Sequence, residues 1–273
     1  MKTILVPTDF SVAAQMASQY AAALARATRA QLVLLHTYHV PVSYQRVSGK
    51  AVRAQRLEKQ QGKKLEVFRR ELAEAYGIEA KTLVMPGLAA EQVPSLAQTL
   101  AADLVVMGTR RNGDPTRDLF GSVTTAVISR SAVPVLVVPQ GVVFRQPKEI
   151  VLATDFQAVP GPDQFGVLGI LARQFGAAIR VVHVRGAQSA AVATGTGTAL
   201  ENALEDLEHT YELVTDEDKV HGLEQYLAQT SPDWLVMLPH RYPVLSRIFH
   251  RSFTRHMALH ACLPLLVLPG GLK

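Results

Sequence analysis

An internal repeat constrains this chain more than any other feature of its sequence. Ile4-Leu5-Val6-Pro7-Thr8-Asp9-Phe10 returns as Ile150-Val151-Leu152-Ala153-Thr154-Asp155-Phe156, and Ala102-Asp103-Leu104-Val105-Val106-Met107 returns as Pro232-Asp233-Trp234-Leu235-Val236-Met237. Pro134-Val135-Leu136-Val137-Val138-Pro139 returns as Pro264-Leu265-Leu266-Val267-Leu268-Pro269. Self-similarity over such lengths means two copies of one domain, not a solenoid of short units. Ile4 and Ile150 stand 146 residues apart, whereas Pro134 and Pro264 stand 130 apart, so the second copy has lost 16 residues (146 − 130). The loss falls between its second and fourth strands.

In the first copy Thr3–Pro7 is a short apolar run and reads as a buried strand. Asp9 and Ser11 stand where a helix cap belongs, and the Ala-rich segment 13–28 follows at helical spacing. Strands are expected at Leu32–Tyr38, Ala80–Met85, Leu104–Met107 and Val135–Val138. Helices are expected at about Val52–Tyr76, Ala90–Leu100 and Gly121–Ser131. Strands alternating with helices specify an α/β domain with a mainly parallel sheet. Right-handed crossovers narrow it to the doubly wound class; the expected sheet is flavodoxin-like or Rossmann-like, with five strands in the order 3-2-1-4-5. The expected organisation is two tandem domains of this class, 1–140 and 149–273, joined by the short segment Gln140–Lys148. In the second copy the long helix shrinks to about Ala199–His209.

Length and composition suit this plan. A chain of 273 residues accommodates two domains, and 48% hydrophobic with 19% charged residues is a globular balance. No apolar run approaches the ~18 residues of a membrane-crossing helix. One cysteine, Cys262, leaves no disulfide framework and fits a reducing cytoplasm, the expected location. The net charge of +5 is modest, and much of the positive charge lies between Arg46 and Arg70. Those basic residues flank Leu57, Leu65 and Phe68 at helical spacing, with no series of stacking aromatics interleaved. That favours a solvated helix face over a nucleic-acid surface.

The chemistry of the chain concentrates in the loop from Gly108 to Ser122, which joins a buried strand to a helix. Glycines there let backbone N–H groups converge on an anion, and the helix start at Gly121-Ser122 adds free N–H groups and a positive dipole end. Ser122 and Thr124 supply hydroxyls. The arrangement has the physics of a phosphate cradle without a Walker A lysine, since no G-x-x-x-x-G-K-[ST] occurs. In doubly wound sheets the ligand crevice lies beyond the carboxyl ends of strands where the winding reverses, here between the ends of strands one and four.

Taken together, the opening strand ending in Asp9, Leu34-Leu35-His36 ending the second strand, the Met107-Gly108-Thr109 turn and the Pro134-Val135-Leu136-Val137-Val138 strand resemble the universal stress protein family in a tandem form. The resemblance covers both copies. Nucleotide-binding members carry G-x2-G-x9-G-[ST] in this loop. Here Gly108 and Gly121-Ser122 match, but Arg111 replaces the middle glycine and Gly113 follows two residues later. The resemblance implies an adenine nucleotide, ATP with ADP or AMP as alternatives, optionally accompanied by Mg. Pro7 and Asp9 would flank the adenosine, and Thr37 would meet the adenine edge through its backbone. Met107, Gly108, Gly121, Ser122, Val123 and Thr124 would line ribose and phosphates. Arg111 either strains a backbone that wants φ > 0 or grips a phosphate with its guanidinium.

The second copy reads Leu238-Pro239-His240-Arg241 through Arg251-Ser252 at the matching loop; its glycines are gone, and Pro239 has no N–H. The expected function is therefore a stress-response protein that binds nucleotide in its first domain, and the alternative is a nucleotide-free interaction scaffold. Hydrolysis would be slow at most, because no general base is evident beside the loop. Each copy ends in an apolar strand expected at a sheet edge. Such edges need cover, so the two final strands are expected to pair within the chain, with a homodimer beyond that. His36 and His183 hold matching strand positions, which points to a shared packing or hydrogen-bonding role.

Overall fold

A computed structural model describes residues 1–39, 50–109, 122–154, 162–186, 197–238 and 263–269. The chain divides into two compact units, Met1–Phe144 and Arg145–Lys273. The first contains β1 (Thr3–Pro7), α1 (Val12–Thr28), β2 (Gln31–Tyr38), α2 (Lys50–Tyr76), β3 (Ala80–Pro86), α3 (Ala89–Thr99), β4 (Leu104–Thr109), α4 (Ser122–Arg130) and β5 (Val135–Pro139). Its strands are all parallel, in the order β3-β2-β1-β4-β5. The second contains β6 (Glu149–Ala153), α5 (Pro162–Phe175), β7 (Ala178–Arg185), α6 (Gly197–Leu204), β8 (His209–Thr215), α7 (Lys219–Thr230), β9 (Trp234–Met237) and β10 (Leu265–Val267). Its order, β8-β7-β6-β9-β10, is the same winding. Both units are doubly wound parallel sheets of order 3-2-1-4-5.

The central strands are apolar on both faces because helices cover both faces. Ile4, Leu5, Leu32, Leu34, Leu104 and Val105 are fully buried, and Ile150, Leu152, Ile179 and Leu235 match them in the second unit. α1 starts cleanly because the Ser11 side chain accepts from the Ala14 N–H at 3.3 Å. It ends with Arg29 in the left-handed region, φ 55°, whose N–H returns to the helix carbonyls. Pro94 lies inside α3 and has no N–H for the Ala90 carbonyl. Arg130 of α4 donates to that carbonyl at 3.3 Å instead, which ties the two helices together.

The repeat extends to polar detail. Asp103 accepts the backbone N–H groups of Lys2 and Thr3 at 2.6 and 2.8 Å, and Asp233 accepts those of Lys148 and Glu149 at 2.6 and 3.0 Å. The imidazole of His36 donates from Nδ1 to the Thr8 carbonyl at 2.7 Å, and His183 does the same to Thr154 at 2.9 Å. A carbonyl only accepts, so each contact fixes the proton on Nδ1. The two histidines close one and the same corner, at the end of the first strand of each copy.

The second unit departs from expectation in its shortened helix, which stops at Leu204 instead of reaching His209. The Leu207 N–H turns back to the Leu204 carbonyl at 2.8 Å, and His209 opens β8. The run His209–Thr215 is rich in β-branched and aromatic residues, so the chain turns over 205–208 and His209, the last residue of the expected helix, begins a strand.

On α7 of this unit, His221 donates from Nδ1 to Asp216 at 2.7 Å. That hydrogen bond raises the His221 pKa above its ordinary 6.5, with the Asp216 charge adding to it, and lowers that of Asp216. The contribution of His221 is fully present below its unfolded value and is lost as pH rises through the elevated folded one. That of Asp216 is lost as pH falls through its depressed value. An NMR titration is expected to place the His221 midpoint above 6.5, and Asp216→Asn should return it towards that value. An unmoved midpoint in the variant would show that the pair is not formed in solution.

Candidate functional site

Strand order brings three carboxyl ends side by side in the first unit. β2 ends with Thr37 and Tyr38, β1 with Pro7, and β4 with Met107, Gly108 and Thr109; β1 is hydrogen-bonded between the other two. The β1–β2 ladder runs one residue past Pro7, through a 2.8 Å bond from the Thr8 N–H to the Leu35 carbonyl. Thr37 is half-buried opposite Met85. Tyr38 beside it is buried, and burial, followed by the nearby Glu58, pushes its phenol pKa up, so it stays neutral.

Beyond Pro7 the chain makes a tight, heavily bonded turn. Asp9 is exposed, and its Oδ1 accepts the Ser11 N–H at 2.9 Å. Phe10 stands in the left-handed region with φ 63°, a conformation that costs a residue with a Cβ ~1–2 kcal/mol. The Thr8 hydroxyl accepts its N–H at 3.1 Å, and Gln15 donates to its carbonyl at 2.9 Å. The Phe10 ring lies 4.7 Å from that of His36, tilted by 43°, and meets Phe68 of α2 edge-on at 6.3 Å. Lys64, one helical turn before Phe68, sets its ammonium 4.0 Å from the centre of the Phe10 ring. The basic helix α2 therefore reaches the rim of the site through Lys64 and Phe68, while Arg56, Lys59, Lys63 and Arg70 stay on the solvated face expected from the sequence. The i, i+4 pair Lys64 and Phe68 was the available signal.

Gly108 has a reason for being glycine that the loop motif does not supply. A Cβ at this position would stand 2.3 Å from the Ala13 carbonyl oxygen and 2.7 Å from its carbon. The first turn of α1 is thus laid directly on the backbone of β4, and α1 packs closely along that strand. The matching residue of the second copy is Leu238, which is buried. There α5 makes no comparably extensive contact with β9 among the described residues.

Of the remaining sequence-derived positions, Met107 is buried, Ser122 opens α4, Val123 faces outward and Thr124 is buried. Arg111 and Gly121 lie outside the described residues, as does the side chain of Ser122. Asp155, Pro239 and Ser252 of the second copy also lie outside them. A cavity of about 490 Å³ opens at the other end of the first sheet, near Thr3, Gln31 and Ala80, remote from these carboxyl ends. Among the described residues no cluster of His, Cys, Asp and Glu could hold a metal ion, and no helix is long and apolar enough to cross a membrane.

The family model for universal stress proteins matches residues 1–139. The chain belongs to the universal stress protein family. It is 36% identical over 149 residues to universal stress protein Sll1654 of Synechocystis sp., covering 50% of this chain and 85% of that protein. It is 30% identical over 153 residues to universal stress protein MJ0577 of Methanocaldococcus jannaschii, covering 50% of this chain and 94% of that one. The crystal structure of a universal stress protein from Archaeoglobus fulgidus aligns over 98% of both chains with a TM-score of 0.78 and 15% identity, a likeness of fold. Within a universal stress protein domain, the residues brought together here are Thr37, Pro7, Asp9, Met107 and Gly108, with the opening of α4 following the same strand β4.

Proposed function

We propose that the first unit binds an adenine nucleotide, ATP foremost, across the carboxyl ends of β2, β1 and β4, and that the second copy does not. The adjacency of Thr37, Asp9 and Gly108 on three neighbouring strand ends carries this reading. The Asp9 carboxylate would accept from ribose or adenine, and the Thr37 backbone would meet the adenine edge. Phosphates would lie towards α4, whose free N–H groups and positive dipole end suit an anion. Ser122, Thr124 and Arg111 belong to the same proposal, as does Mg carried with the phosphates. In the second copy, Leu238 stands where Gly108 would be, and Pro239 removes a donor.

One observation favours the nucleotide-free scaffold. Gly108 is required by the packing of α1 on β4 whether or not a ligand approaches, so its presence does not by itself mark a phosphate loop. Calorimetric titration of protein freed of carried-over ligand decides between the two. One ATP per chain is expected. Ser122→Ala should weaken binding by ~0.5–1.5 kcal/mol, the worth of one hydrogen bond, and Ser252→Ala should leave it unchanged. Two equivalent sites would refute the confinement to the first copy, and no binding would leave the scaffold.

A further inference from the structure

The shortened helix of the second unit uncovers a sheet face that its counterpart in the first unit keeps covered. α2 has 27 residues and packs along β3 and β2. Thr82, on the α2-covered face of β3, donates to Glu66 of α2 at 3.4 Å. By register, His209, Tyr211 and Leu213 of β8 occupy the places of Ala80, Thr82 and Val84. α6 has only 8 residues and packs chiefly on α5. Tyr211 is 44% exposed and Leu213 52% exposed, on the outermost strand of the sheet. The surroundings of this apolar pair are acidic. α6 and the turn after it carry Glu201, Glu205, Asp206 and Glu208, all exposed, whereas Glu212 alternates to the opposite face of β8 beside Arg180, Asp216 pairs with His221 and Asp218 caps α7. Glu201 is close enough to Tyr211 to raise its pKa, secondary to burial.

The same chain carries the complementary surface. On α2, Arg56, Lys59, Lys63, Val67 and Arg70 follow one another at spacings of three and four residues, so they share one stripe of the helix. Its four cations are exposed, and so is Val67, at 53%. Lys64 and Arg69 are off the stripe, engaged by Phe10 and Glu66 respectively. The stripe is a basic rim around an apolar centre; the β8 face is an acidic rim around another. We propose that the β8 face of the second unit docks the basic stripe of α2 from a second copy of this chain, reciprocally, in a two-fold pair. A reciprocal pair closes on itself and uses each complementary surface once per chain. Opposite potentials steer the encounter, and Val67 with the aliphatic stems of Lys63 and Arg70 covers Tyr211 and Leu213. The pairing is independent of nucleotide binding.

A charge exchange tests it. One variant carries Glu205→Lys, Asp206→Lys and Glu208→Lys; the other carries Arg56→Glu, Lys59→Glu and Lys63→Glu. Sedimentation equilibrium of the full-length parent is expected to show a two-chain species that dissociates as salt rises. Each variant alone sets like charges against each other and should associate about a hundredfold more weakly. An equimolar mixture has opposite charges at both contacts and should recover the two-chain species, which also shows that both variants are folded. Leu213→Ser, at an exposed position, should weaken the parent's association without charge change. A monomeric parent, a variant that pairs with itself as the parent does, or folded variants that fail to pair when mixed would overturn the proposal.

Discussion

Gly108→Ala is expected to destabilise the first unit by ~2–3 kcal/mol and to reduce nucleotide binding with it. The backbone of Gly108 is not in the left-handed region, so the cost is steric rather than torsional. A single methyl group would stand 2.3 Å from the Ala13 carbonyl oxygen, far inside van der Waals contact, and both sides of that contact are backbone. No side-chain rotation relieves it. α1 must move off β4, and forcing extra volume into a packed interior typically costs ~1–3 kcal/mol. The displaced turn includes Ser11, which caps α1, and adjoins Asp9, so the site loses its shape along with its support. A melting temperature lower by roughly 10 °C is the expected reading for a domain of this size. Parent-like stability in Gly108→Ala would show that α1 and β4 separate freely, and that the glycine serves the ligand alone.

That variant also marks how far the sequence was legible. The repeated apolar runs gave the strands and the winding of both copies, because buried parallel strands are written as uninterrupted aliphatic segments such as Ile4-Leu5-Val6 and Leu104-Val105-Val106. Topology placed the crevice between the ends of the first and fourth strands, and the family resemblance added Thr37 at the end of the second. The dual reason for Gly108 was not legible, since the Ala13 carbonyl it must admit is 95 positions away in sequence (108 − 13). The caps that Asp103 and Asp233 place on distant backbone N–H groups were hidden in the same way. The end of α6 was misplaced because Leu200, Leu204 and Leu207 keep helical spacing, although the chain turns after Leu204 and enters β8 at His209. The loop chemistry of Arg111 and Gly121 lies outside the described residues, so it still rests on the motif.

Asp9→Ala is expected to separate binding from folding. Asp9 is exposed, and its Oδ1 accepts a short-range backbone bond from Ser11. Ser11 keeps its own cap on α1 through Ala14, and the Phe10 turn keeps its bonds to Thr8 and Gln15. The variant should melt within a few degrees of the parent, as each contact of an exposed carboxylate with its own turn contributes about 1 kcal/mol or less. Binding should suffer far more. A hydrogen bond from a ligand hydroxyl or amine to a carboxylate is worth ~1.5–3 kcal/mol, so ATP affinity should fall about tenfold to a hundredfold. Asp9→Asn retains an oxygen for the Ser11 N–H but gives up the charge, and it should lie between the two. The contrast with Gly108→Ala is the informative part: one variant loses stability and binding together, the other loses binding alone. If Asp9→Ala bound ATP as the parent does, the carboxylate would be a turn-forming group and nothing more. The nucleotide would then have to be held without it, from the β4 side.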